Sequence, residues 1–121
     1  MNIALVCIAK NEDHYIDEWI DYHFKLGFSK VFIYQNDWRY TGKYLNNALV
    51  QLIEFDGANR QLNAYNDFVQ KHYNDFDWAG FLDIDEFVVL KQWSNISDFL
   101  DNYKNYNAVG LNWSIFSSNG L

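Results

Sequence analysis

Apolar residues run unbroken through "IALVCIA", Ile3 to Ala9, as expected of a strand covered on both faces. "KNEDHYIDEWIDYHFKLG" then changes period. Ile16, Trp19, Ile20, His23 and Leu26 recur every three or four residues, the spacing of one helix face. Asn11 reads as the N-cap of that helix, Glu12 and Asp13 suit its positive end, and Gly27 suits its stop. "KVFIYQND" predicts a second strand and "LVQLIEFD" a third, with an irregular polar stretch from Trp38 to Asn47 between them. From Arg60 to Phe76, apolar Leu62, Tyr65, Val69, His72 and Phe76 predict a second helix. "AGFLDID" reads as a fourth strand, which "FVVL" continues or follows after a bend. "NISDFLDNYK" predicts a short helix with Ile96, Phe99, Leu100 and Tyr103 on one face, and "AVGLNWSIF" a last strand.

Alternating strands and helices predict an α/β domain with a largely parallel sheet and right-handed crossovers. No repeat, low-complexity tract or proline marks a linker, so residues 1–121 read as one domain. Ligands of such sheets bind beyond the carboxyl ends of the strands. Three polar clusters fall there: "KNE" after the first strand, "QND" after the second and "DID" after the fourth.

Composition narrows the partners. Sixteen acidic residues face nine Lys plus Arg, a formal charge of −7, which argues against nucleic acid or an anionic membrane as the main partner. The single cysteine, Cys7, lies in the first apolar run and reads as a core residue. No stretch approaches the ~20 apolar residues of a membrane span, and "MNIALVCIAK" reads as a strand rather than a signal peptide. A reducing, cytoplasmic compartment is the simplest expectation.

In a strictly extended strand, Asp83 and Asp85 share one face, with Ile84 on the other. Two carboxylates that close repel each other, and a hard cation such as Mg²⁺ or Mn²⁺ resolves the conflict while leaving positions open for phosphates. The plainer alternative is a strand end where both meet water. Asp37 is either a turn residue or an acceptor for a base N–H or a ribose hydroxyl. His14, His23 and His72 lack metal-ligand spacing, and His23 and His72 read as packed on helix faces. The dinucleotide, Walker and nucleophile-elbow motifs are absent.

"CIAKNEDHYIDEWIDYHFKLGFSKVFIYQND", "RQLNAYNDFVQKH" and "WAGFLDIDEFVVL" resemble, in order, the N-terminal part of the family-2-like and family-92-like glycosyltransferases. "VGLNWSIFSSNG" resembles the W-x-x-F-x-S-x-G segment that follows in them. The resemblance implies a GT-A-like (Rossmann-like) α/β/α sandwich and a nucleotide-diphosphate sugar donor, most often linked to uridine diphosphate. It makes Asp83 and Asp85 the motif for Mn²⁺ or Mg²⁺, and assigns donor contacts to Ala9, Asn11, Glu12, Asp37, Gln61, Asn66 and Ile84. Glu86 stays open, as a weak candidate for a catalytic base or as the partner of a basic group in the next loop. The acceptor implied is a glycan or a lipid-linked sugar, with inversion as the outcome and peripheral association at the inner face of a membrane as one setting. Because "SSNGL" stands where the family pattern continues, often towards a histidine, the chain is expected to be a truncated gene product, a fragment of a longer enzyme or a donor-binding half.

Two other readings compete. One is a non-catalytic nucleotide-binding or interaction module. The other is a haloacid-dehalogenase-type phosphatase, whose nucleophile strand also ends in D-x-D. In that class the strand opens the domain, whereas here it is fourth and Glu86 and Phe87 follow the pair.

Overall fold

The computed structural model describes residues 1–12, 14–105, 108–110 and 114–117, the last two segments as backbone. Six strands form one sheet: β1 (Ile3–Ala9), β2 (Lys30–Gln35), β3 (Val50–Glu54), β4 (Trp78–Phe81), β5 (Ala108–Gly110) and β6 (Ser114–Ser117). Three helices flank it: α1 (Ile16–Leu26), α2 (Gln61–His72) and α3 (Ile96–Asp101). The strand order is β3-β2-β1-β4-β6-β5. The first four strands run parallel, while β6 is antiparallel to both β4 and β5.

The unbroken apolar run of β1 is explained by its position inside the sheet with both faces covered. Ile3, Leu5 and Cys7 point into one core with Trp19 and Ile20 of α1 and Ile96 and Leu100 of α3. Ala4 and Val6 point into the other, with Phe32, Tyr34 and the α2 residues Ala64 and Phe68. The expected α/β/α layering and mostly parallel sheet are therefore present. No helix among the described residues is long and apolar enough to cross a membrane.

Several local expectations fail for identifiable reasons. Helix α1 starts at Ile16, not after Asn11, whose φ of 55° is left-handed and unlike the extended backbone of an N-cap. Asn11 instead turns the chain away from the end of β1, since asparagine serves left-handed turns as readily as caps. Glu12 precedes the helix, whose first-turn acids are Asp17 and Glu18, and Asp13 lies outside the described residues. Leu62, expected on the apolar face of α2, is exposed. "FVVL" forms no strand, and "AVGLNWSIF" contains two antiparallel strands rather than one.

The largest departure concerns β4, which ends at Phe81. The N–H of Glu86 donates to the Asp83 carbonyl at 3.0 Å, closing a turn that carries both aspartates. Leu82 and Ile84 are buried while Asp83 and Asp85 are exposed, so the alternation of a strand persists through a segment that is not one.

Gly27 ends α1 as expected, at φ 111°, with its N–H on the Phe24 carbonyl and the N–H of Phe28 on the His23 carbonyl. A Cβ there would stand 3.4 Å from Cγ2 of Ile96. Gly27→Ala should therefore lower the free energy of unfolding by about 1–2 kcal/mol, read by urea titration.

Candidate functional site

The chain runs β1 to β2 to β3 on one side of the sheet, then crosses to β4 on the other side of β1. The carboxyl ends of β1 and β4 thus flank the point where strand order reverses, the usual place for a ligand crevice in open α/β sheets. A cleft of about 250 Å³ lies there, lined by Ile8, Glu12, Tyr15, Asp83, Ile84 and Asp85. Ile84 is almost wholly buried and anchors the turn, so its aspartate neighbours face outward.

The electrostatics of this cleft are unbalanced. The Glu12 carboxyl is pushed above its ordinary range, first by burial and then by the charges of Asp85 and Asp83. Asp83 is pushed up too, by burial and then by Glu86 and Asp85. Among the described residues, no lysine, arginine or histidine forms an ion pair with any of these carboxylates. Nor do three His, Cys, Asp or Glu side chains stand close enough there to enclose a metal on their own. Buried Cys7 is held protonated, chiefly by burial and further by the charges of Asp83 and Glu12.

The neighbouring loops are tied together behind this cleft. The Asn36 N–H donates to the Ala9 carbonyl at 2.9 Å, giving buried Ala9 a backbone role at the strand end. Lys10 Nζ stands 3.8 Å from Oδ2 of Asp37. Asp37, at φ 49°, donates its N–H to Asp56 at 2.8 Å and accepts the Gly57 N–H at 3.2 Å. Arg39 grips Asp56 through two bonds of 2.8 and 2.6 Å, which hold the Asp56 carboxyl down at about 2.

Helix α2 reaches the area through Gln61, whose amide donates to the Tyr65 hydroxyl at 3.1 Å. The Tyr65 ring packs 4.7 Å from that of Phe81, the last residue of β4. Its phenol is pushed up to about 12, mainly by burial, and the charges of Asp83 and Glu86 add to the shift. Asn66 is exposed and leaves the helix on a different side from Gln61 and Tyr65.

Of the residues singled out in the sequence, Glu12, Asp83, Ile84 and Asp85 meet at one cleft. Asp37 occupies an adjoining loop, Gln61 is linked through Tyr65, and Asn11, Ala9 and Asn66 do not line it. Among the described residues no basic side chain pairs with Glu86, and its Oε1 accepts the Asp83 N–H at 2.9 Å.

Three side chains of α1 went unread as site residues. Trp19 Nε1–H donates to the Glu86 carbonyl at 2.7 Å, and the Tyr22 hydroxyl donates to the Val88 carbonyl. Buried His23 accepts the Val88 N–H on Nε2 at 3.2 Å, and its Nδ1–H donates to the Trp19 carbonyl at 2.8 Å. Their spacing, Trp19, Tyr22 and His23, is that of one helix face and was available in the sequence. Tyr15 and Ile8 carried no comparable signal.

The family model described as Glycosyltransferase family 92 matches residues 4–118. A glycosyltransferase family 92 protein of Ricinus communis is 22% identical over 112 residues, covering 85% of this chain and 20% of the relative. One of Oryza sativa subsp. japonica is 26% identical over 115 residues, covering 90% and 20%. This chain thus spans about a fifth of the length of the curated relatives it matches. In fold it is similar to the crystal structure of S. aureus TarS 1–349, with a TM-score of 0.62, 16% identity, and coverage of 84% of this chain and 33% of that one.

Proposed function

This chain belongs to glycosyltransferase family 92, and from that premise we propose that the β1–β4 cleft binds a nucleotide-diphosphate sugar, with uridine diphosphate as the nucleotide. The sugar is destined for a glycan or lipid-linked acceptor. One observation carries the reading: Glu12, Asp83 and Asp85 converge at the switch point of the sheet with no basic side chain paired to them among the described residues. Unpaired carboxylates that repel one another are a cost to the fold unless a ligand uses them.

The donor set is hard oxygen throughout and falls short of a complete cage, which suits Mg²⁺ or Mn²⁺, cations held by one or two carboxylates together with substrate phosphates. Asp83 and Asp85 would hold the ion, which when bound offsets the charge of a departing diphosphate. Glu12 borders the same space and adds to its negative field. Asp37, in the adjoining loop, presents a carboxylate for a base N–H or a ribose hydroxyl, with Lys10 close by to orient it. Inverting transfer needs a base at the acceptor hydroxyl. Glu86 is not that base in this reading, because its carboxylate is engaged by the Asp83 N–H. The setting proposed is cytoplasmic, with peripheral contact where the acceptor is lipid-linked.

Millimolar UDP with MnCl₂ should raise the melting temperature of the chain by about 5–10 °C, while UDP without the metal should leave it nearly unchanged. No shift with both present would overturn the reading. A shift without slow release of free sugar from a UDP-sugar would mark a nucleotide-binding module rather than a working transferase site.

A further inference from the structure

Residues 82–90 contain no helix or strand, yet they carry the two aspartates on which the donor site depends. Backbone groups in such a segment need partners from elsewhere, and their source determines where the segment sits. Glu86 is the junction. Its N–H and its carboxylate both bond Asp83, closing the turn from two sides, and its carbonyl is taken by the indole N–H of Trp19.

We infer that helix α1 positions the Asp83–Asp85 turn through this Trp19–Glu86–Asp83 chain of bonds, with Tyr22 and His23 fixing Val88, two residues on, through both of its backbone groups. Trp19 and Glu86 are positioning residues, not ligands. Core packing alone does not account for Trp19. Any large apolar side chain fills its volume, whereas the indole adds a buried donor aimed at one carbonyl of an irregular loop. The arrangement instead couples a rigid helix to a turn that begins just past Leu82, whose N–H donates to the Val6 carbonyl of β1 at 3.1 Å. The consequence for donor binding rests on the reading given under Proposed function.

The test uses three variants of the chain: Trp19→Phe, which keeps a ring but removes the donor; Glu86→Ala; and Glu86→Gln, which keeps an acceptor for the Asp83 N–H. Affinity for UDP with MnCl₂ is titrated at a temperature where circular dichroism shows each variant folded. Amide hydrogen exchange is followed at Asp83, Glu86 and Val88. Trp19→Phe and Glu86→Ala should each weaken binding about tenfold, and Glu86→Gln should return to within about threefold of wild type. The Asp83 and Glu86 amides should exchange about tenfold faster in the first two variants, while Leu5 and Val6 of β1 keep their protection.

Unchanged exchange in both variants overturns the inference, whatever UDP does. So does unchanged affinity in variants of a chain that binds. If the wild type binds no UDP with MnCl₂ but exchange responds as expected, the donor reading fails and the positioning stands. Should Trp19→Phe fail to fold, the half-buried Glu86 carries the test alone.

Discussion

Asp85→Ala should abolish the rise in melting temperature expected with UDP and MnCl₂ together, and affinity for the pair should fall by at least ~100-fold, or about 2.7 kcal/mol. The expectation follows from what surrounds Asp85. It is exposed on the turn, and the neighbours that feel its charge, Glu12 and Asp83, are themselves carboxylates. Its removal takes away one of the two oxygen donors proposed for the cation and leaves the backbone bonds of the turn in place. It also relieves repulsion, so the free variant should be as stable as wild type, to within about 0.5 kcal/mol, or slightly more stable. The two measurements separate a binding role from a structural one. Loss of the ligand-induced shift with intact free stability supports the donor site. Wild-type affinity in Asp85→Ala would remove the carboxylate pair from the account.

The parts of the fold that were readable in the sequence depend on local pattern. The unbroken apolar runs of β1 and β2 carried their positions because both faces of those strands are covered, and the periodicity of α1 survived because its buried face is continuous. The end of β4 was not readable. Leu82 and Ile84 stay buried and Asp83 and Asp85 exposed, so the period-two signal continues where the strand has stopped. What stops it is a pair of bonds between Glu86 and Asp83, which depends on a turn and not on composition. Asn11 misled for a related reason, since its chemistry fits both a helix cap and a left-handed turn. At the site, carboxylates at strand ends could be located by topology alone. The indole and imidazole that hold the adjoining backbone could not, because their partners lie 67 and 65 residues further on.

Acid should act on this same junction through His23. The imidazole is wholly buried among the rings of Trp19, Tyr22, Phe28 and Phe87, and burial lowers its pKa from 6.5 to about 4 despite the opposing pull of the Trp19 carbonyl. Between those values the unfolded chain binds a proton that the folded chain refuses, so stability falls as pH drops. The contribution is fully present above pH 6.5 and is lost progressively as pH falls to about 4, a loss on the order of 3 kcal/mol. The bonding geometry points the same way. Nε2 must be unprotonated to accept the Val88 N–H, and a proton there would set two donors against each other in a buried space. Glu12 and Asp83 oppose the trend, because carboxyls raised by burial and mutual repulsion take up protons more readily in the folded chain as pH falls. A comparison with His23→Gln isolates the imidazole. Urea titrations from pH 7 to pH 4 should show wild type losing about 3 kcal/mol more than the variant. Parallel curves for the two proteins would mean that the folded chain takes up a proton on His23 as readily as the unfolded one, and that burial exacts no penalty there.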